Sequence, residues 1–496
     1  MTTSLLDASV HELVQALRLR TVSPVEVVDT HIQRIEEVNG AVNALVGERF
    51  EAARDEARQA EHQIMQGAPD ALPPLLGVPC TVKEFIGIRG LPQTAGVYAN
   101  RHRLAPRDGT AAARLRRAGA IVLGISNVPE GGFWMETHNL IFGRTRNPWD
   151  LRRTPGGSSG GEGALIGAGA SPFGLGSDIG GSIRIPAAFC GIAGHKPTGR
   201  LVPNTGHFPG TDDPVNTFLT IGPMARRASD LGLLMRVIAG PDGEDPHTRT
   251  WTPVEPEKVD LRQLRIFHVA NPPGPYVWPH MRQAVLQATE ALRDAGARTE
   301  SLEIPELRKA VQIWAAMMQQ HSTQSYDDIL NDGKPIPVLR ELAKSALGRG
   351  QHTRPALLFR MIESLAGRAS GRRSAWIDAG KRLEAQLESR LGSNGVMIYP
   401  SYTRVAPRHH WPLVTPMDAG CTCIFNPFEF PATVVPVGFH PNGLPISVQV
   451  IGARGSDHLT IAVAMAIERA FGGWKRANPP VHPARPLASQ SPAPSG

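Results

Sequence analysis

Gly77-Val78-Pro79-Cys80-Thr81-Val82-Lys83 is a short β-prone run that closes on a lone lysine. Beyond it, Thr110 to Ala118 reads as a helix and Ala120-Ile121-Val122-Leu123-Gly124 as a buried strand. A Gly/Ala-rich helix over 160–169 then leads into Phe173-Gly174-Leu175-Gly176, another strand. Strands this apolar, alternating with helices, are buried on both faces, so the chain predicts an α/β fold with a mixed or parallel sheet between helical layers.

Upstream, residues 9–66 read as helices. Ser9 with Glu12 forms one capping box, and Ser23-Pro24-Val25-Glu26 a second with proline at the first helical position. The second helix keeps an apolar stripe (Val27, Val28, Ile32, Ile35, Val38) until Asn39-Gly40 stops it, and 44–66 reads as a charged, solvent-facing helix. Downstream, 306–391 turns helical, strands return at 396–399, 433–437 and 446–451, and a helix closes the pattern at 459–471. Strands on both sides of the helical stretch predict one sheet interrupted by an insert. The expected organisation is an N-terminal helical part (1–75), a core (76–305), an insert forming the substrate entrance (306–391), the rest of the same core (392–475) and a disordered Pro/Ala/Ser-rich tail (476–496).

The 496 residues carry 41% hydrophobic and 20% charged side chains, an ordinary globular composition. No run approaches the roughly 18 apolar residues of a membrane span, and Met1-Thr2-Thr3-Ser4-Leu5-Leu6-Asp7 lacks the pattern of a secretion signal. With four scattered cysteines, a reducing cytoplasm is the expected location. Cys421-Thr422-Cys423 lacks the second ligand pair of a structural zinc site, so no metal is expected. The net charge of +7 gathers in 340–390, which holds 11 Lys+Arg against 5 Asp+Glu, interleaved with Leu357, Leu358, Phe359, Met361, Leu365 and Trp376. The plain reading is a solvated helical face around a core stripe; weak contact with an anionic membrane surface stays open, as does a homodimer. No nucleic-acid motif is present, and no nucleic-acid partner is expected.

Two serines sit in paired-glycine loops 24 residues apart, Ser158 in Gly156-Gly157-Ser158-Ser159-Gly160-Gly161 and Ser182 in Ser177-Asp178-Ile179-Gly180-Gly181-Ser182. Glycine lets backbone N–H groups approach a reacting atom, so such a loop can both present a nucleophile and hold the developing oxyanion. By letters, Gly156 to Gly160 fits the nucleophile elbow of α/β-hydrolases, but residues 147–155 are no core strand and the elbow needs one. A phosphate loop is excluded for want of its lysine signature. A lysine remains as the base. Its ordinary value of about 10.4 makes it useless at neutral pH unless burial disfavours the charge, and bringing it near neutrality costs about 4 kcal/mol. Lys83, closing an apolar run, is placed for that.

Gly156 to Gly161 together with Gly180-Gly181-Ser182-Ile183-Arg184-Ile185-Pro186-Ala187 resembles the amidase signature family of serine hydrolases, and Gly77 to Glu84 resembles that family's lysine motif. Gly161-Glu162-Gly163-Ala164-Leu165-Ile166 and Phe189-Cys190-Gly191-Ile192 resemble its fatty acid amide hydrolase branch. The resemblance implies an α/β/α sandwich around a large mixed sheet and hydrolysis of a carboxylic amide without a cofactor. It implies Ser182 as nucleophile, Ser158 (after a cis bond from Gly157) as relay, Lys83 as base, and oxyanion-hole N–H groups from Ile179, Gly180, Gly181 and Ser182. Asp178 and Arg184 are expected to pair and brace the loop, and Ser177 and Ser159 to add hydrogen bonds near Lys83 or the loop, with Ser177 counted among the substrate-site residues. In that branch a methionine lines the acyl channel at the position of Gly132; here Phe133, Trp134 and Met135 keep the wall apolar. Trp314, Met317 and Met318 share one helical face, more a core stripe than a ligand wall. The small-molecule amide is expected to carry a hydrophobic acyl group; the alternative is a glutamine-hydrolysing transamidase subunit serving a tRNA-bound amino acid.

Overall fold

The computed structural model describes residues 4–210, 214–366 and 373–481. Its strands are β1 (Leu45–Glu48), β2 (Pro79–Lys83), β3 (Ile121–Ser126), β4 (His138–Asn139), β5 (Gly143–Arg144), β6 (Phe173–Asp178), β7 (Ala193–Lys196), β8 (Thr220–Ala225), β9 (Arg265–His268), β10 (Arg298–Ser301), β11 (Gly395–Pro400), β12 (Ala432–Phe439) and β13 (Pro445–Gly452). All but the β4–β5 hairpin join one 11-stranded sheet in the order β1-β3-β2-β6-β8-β7-β12-β13-β11-β9-β10. The sheet is mixed: β2 runs parallel to β3 and β6, and β9 parallel to β10 and β11, while the remaining neighbours are antiparallel. Strands from both sides of the 306–391 stretch share it, β11 lying between β13 and β9.

The core strands are the apolar ones the sequence points to. β2, β3 and β6 are buried at every residue. Helix Gly160–Gly167, also buried throughout, packs across β2, β6 and β8. Glycine permits that closeness: a Cβ on Gly176 would come within 2.8 Å of Met224 Sδ and 3.0 Å of Ser159 Oγ. A second apolar cluster (Phe267, Ile313, Met317, Leu387, Met397, Phe425) joins the far end of the sheet to helices Ala310–His321 and Arg373–Leu391.

Several local expectations need correcting. Residues 45–48 form edge strand β1 instead of opening a helix, and helix Phe50–Gln66 buries Ala53, Ala57, Ala60 and Ile64 on one face. Helix Pro24–Val42 passes Asn39-Gly40 and stops at Asn43, whose left-handed backbone (φ 51°) is tolerated because its side chain bonds the carbonyls of Phe142 and Arg144. The stop works differently from the one read: Asn39 Oδ1 accepts the N–H groups of Ala44 and Leu45 beyond the helix end. Of the expected tail, residues 482–496 lie outside the described residues.

Candidate active site

Lys83 ends β2 with its side chain fully buried. Its Nζ lies 2.7 Å from Ser158 Oγ, 3.0 Å from Ser177 Oγ and 3.2 Å from the Ser177 carbonyl, and 4.6 Å from the centre of the Phe85 ring. Burial lowers its pKa to about 7, against the pull of Asp178, Glu162 and Glu84. The same burial pushes the Glu84 and Glu162 carboxyls up to about 7. Glu84 accepts from Thr94 and Ala95, and Glu162 from Thr81 Oγ1 at 2.7 Å, so neither bonds the lysine directly.

The Gly157–Ser158 peptide bond is cis. Gly157 lies flat against the backbone of residues 134–136, where a Cβ would sit 2.6 Å from the Trp134 carbonyl. The two serine loops are tied directly, Ser159 N–H donating to the Ser182 carbonyl at 3.1 Å. Their exposure differs: Ser158 is 3% exposed, whereas Ile179, Gly180 and Ser182 are half-buried. The inner serine bonds the lysine, and the outer one lies on the more accessible loop.

Asp178 and Arg184 do pair, both fully buried, through Nη2–Oδ1 (2.9 Å) and Nε–Oδ2 (3.0 Å). Asp178 also accepts Gly181 N–H (2.7 Å), Ile183 N–H (3.0 Å) and Asn426 Nδ2 (3.0 Å). Burial alone would raise its pKa, but the Arg184 charge and these donors hold the carboxyl far below its usual range. One expectation changes here. The Gly181 N–H donates to Asp178 Oδ1 and is not available to an oxyanion. The N–H groups of Ile179, Gly180 and Ser182 stay outside the Asp178 network.

Trp314 reaches this loop from helix Ala310–His321: its Nε1 donates to the Ile179 carbonyl at 3.0 Å, while Thr422 Oγ1 donates to the Gly180 carbonyl at 2.8 Å. In a planar trans peptide the C=O and the following N–H point opposite ways, so the Trp314 bond fixes the direction of Gly180 N–H. The expected stripe therefore divides, with Met317 in the core and Trp314 at the loop. Sequence spacing gave no signal for this, since nothing local marks a tryptophan as a partner for a carbonyl 135 residues away. His207 carries no local signal either; its Nε2 lies 3.0 Å from Ser177 Oγ. Ser177, expected at the substrate site, is buried and turned to Lys83 and His207 instead.

Gly132 borders Ser158: a Cβ there would lie 3.9 Å from Ser158 Oγ and 2.8 Å from Phe85 Cε2, and φ 79° disfavours any side chain. Next to it, Phe133 packs edge-on against Tyr326 (4.5 Å) and Trp134 against Phe359 (5.7 Å), joining this wall to the helices of 306–391. A cavity of about 190 Å³ lies beyond Phe133 and Trp134, lined also by Arg144, His352 and Arg354; Lys83, Ser158 and Ser182 do not line it. In the basic stretch, described except for 367–372, Leu357 is buried and Phe359 half-buried, while helix Val338–Ala346 leaves Leu339 and Leu342 exposed beside Arg340. Cys421 and Cys423 are buried, and between them Thr422 accepts from Arg184 Nη1 at 2.8 Å through its carbonyl.

The Amidase family model matches residues 26–461. The chain belongs to the amidase family. It is 39% identical over 495 residues to fatty-acid amide hydrolase 2-A of Danio rerio, covering 96% of this chain and 91% of that one. It is 32% identical to one component of the glutamyl-tRNA(Gln) amidotransferase of Roseiflexus sp. (strain RS-1), covering 92% and 94%. Among solved structures, a bacterial aryl acylamidase of the amidase signature family superposes with a TM-score of 0.78 at 27% identity, covering 94% and 96%. The resemblance read from the serine loops is thus borne out, as is the α/β fold with its large mixed sheet. As an amidase-family member, the protein is a hydrolase of carboxylic amides.

Proposed function

We propose that the protein hydrolyses amides with a hydrophobic acyl group through an acyl-enzyme on Ser182, with Lys83 as base and Ser158 as relay. The observation that carries this reading is the 2.7 Å contact between Ser158 and a buried Lys83 whose pKa lies at about 7. An uncharged Lys83 takes the Ser158 proton as Ser158 takes that of Ser182, and Ser182 Oγ bonds the carbonyl carbon. The oxyanion meets N–H groups of Ile179, Gly180 and Ser182. As the C–N bond breaks, the leaving nitrogen receives a proton from Ser158, replaced from Lys83, and the amine departs. Water then attacks the ester by the reverse relay, releasing the acid and restoring Ser182. Esters reach the same intermediate with an easier leaving group, so they are substrates as well.

The apolar wall of Phe133, Trp134 and Met135 and the 39% identity to a fatty-acid amide hydrolase support a hydrophobic acyl group. The test is a panel of primary amides graded in acyl length and aromaticity, with glutamine included, assayed on the purified chain. Turnover that rises with apolar acyl area supports the proposal. Preference for glutamine would overturn it in favour of a role in a transamidating complex.

A further inference from the structure

We infer that His207 is a positioning residue that fixes the direction of the hydrogen bonds around Lys83 and thereby aims the lysine lone pair at Ser158. The inference rests on the proposed Ser182–Ser158–Lys83 chemistry. It starts from His207 Nδ1, 3.3 Å from the Pro209 carbonyl. A carbonyl oxygen can only accept, so Nδ1 carries a proton. Burial, helped by the charge on Lys83, lowers the His207 pKa to about 3, so the ring is neutral across the working range and Nε2 has no hydrogen.

The rest follows by counting hydrogens. Nε2 must accept, so the Ser177 hydroxyl, 3.0 Å away, donates to it. Having used its hydrogen, Ser177 Oγ can only accept from Lys83 Nζ at 3.0 Å. The Ser177 carbonyl at 3.2 Å is likewise an acceptor. An uncharged amine has two N–H bonds and one lone pair. Both N–H bonds face acceptors on Ser177, so the lone pair is left for the third neighbour, Ser158 Oγ at 2.7 Å. Without His207, the Ser177 hydroxyl is free to donate to the lysine lone pair and compete with Ser158 for it.

The titratable groups facing Lys83 are Glu84 beside it in sequence, Glu162 on helix Gly160–Gly167, Asp178 at the end of β6, and His207. Loss of the neutral imidazole removes no charge, so any change in the lysine comes through Ser177. A hydroxyl donating to the lone pair favours the uncharged amine, and a Ser177 hydrogen left without its acceptor disfavours the ammonium. Both move the lysine titration to lower pH.

The experiment is the pH dependence of kcat and kcat/KM on a hydrophobic amide for His207→Phe, His207→Gln, Ser177→Ala and the double variant. His207→Phe should lower the plateau kcat about 10- to 100-fold, the kinetic equivalent of one buried hydrogen bond, with KM little changed. Its acid limb should move to lower pH. Glutamine supplies an acceptor oxygen, so His207→Gln should stay within about threefold of the parent. Adding His207→Phe to Ser177→Ala should cost nothing further, because the effect passes through Ser177. Should His207→Phe not accumulate as folded protein, His207→Leu carries the same expectation. Additive losses in the double variant, or a slower enzyme with an unmoved acid limb, would overturn the inference. Lys83→Ala and Ser182→Ala serve as controls: retained turnover in either refutes the underlying chemistry, whatever His207 does.

Discussion

Replacing Lys83 with methionine should abolish turnover yet stabilise the fold, and the gain should vanish in alkali. In the unfolded chain the lysine has its ordinary pKa of about 10.4, whereas burial lowers it to about 7 in the native state. Between those values the unfolded chain holds a proton that the folded one has released, so stability rises with pH across the window and the full penalty applies below it. At 1.36 kcal/mol per pH unit, burying Lys83 costs about 4 kcal/mol at pH 7 and about 1 kcal/mol at pH 9.5. Methionine removes that penalty and forfeits the three bonds to Ser158 and Ser177, each worth about 1 kcal/mol net. The net gain is therefore about 1 kcal/mol at neutral pH. The sharper quantity is its slope: the variant-minus-parent difference should shrink by about 3 kcal/mol from pH 7 to 9.5. Reversible urea unfolding of both proteins at the two pH values measures it. A difference independent of pH would refute the claim that Lys83 is held uncharged by burial.

Three further outcomes follow. The kcat/KM of the unaltered enzyme should climb with pH through an acid limb near 7, as Lys83 loses its proton; a rate flat from pH 5.5 to 8.5 would contradict this. Trp314→Phe keeps the ring against the loop but frees the Ile179 carbonyl, so kcat should fall about tenfold with KM nearly unchanged, as measured by initial rates. Asp178→Asn leaves Arg184 buried without its counter-charge and should cost about 3–5 kcal/mol, visible in urea unfolding; a loss under 1 kcal/mol would mean that Arg184 finds compensation elsewhere.

The parts legible in the sequence were those whose cause is local. Long apolar strands such as β3 and β12 announced themselves, and so did the Ser9 cap, which forms with both reciprocal bonds. Paired glycines around Ser158 and Ser182 marked the loops, because only close backbone approach explains so many residues without side chains. β7, β8 and β10 carry no such local signal. Ala193-Gly194-His195-Lys196 has no apolar alternation, β8 carries Pro223 in its interior, and β10 is a polar edge. The four residues of β1 do not stand apart in sequence from the charged helix Phe50–Gln66 that follows them. Site residues followed the same rule. Lys83 lay at the end of an apolar run and could be found; His207, Trp314, Thr422 and Asn426 act across 30 to 248 residues of sequence and could not. Gly181 shows the converse: its position in the loop suggested an oxyanion donor, and only the fold reveals that Asp178 already takes that N–H.

The most direct trial of the central claim is to quench turnover of an activated acyl ester in acid and locate the acyl group by mass spectrometry. Both serines fall within one tryptic peptide, residues 154–184, so fragmentation inside it must assign the adduct. The account predicts the acyl mass on Ser182, none on Ser158, and accumulation at least 100-fold slower in Lys83→Ala. An adduct on Ser158, or one that forms at full rate without Lys83, would contradict it.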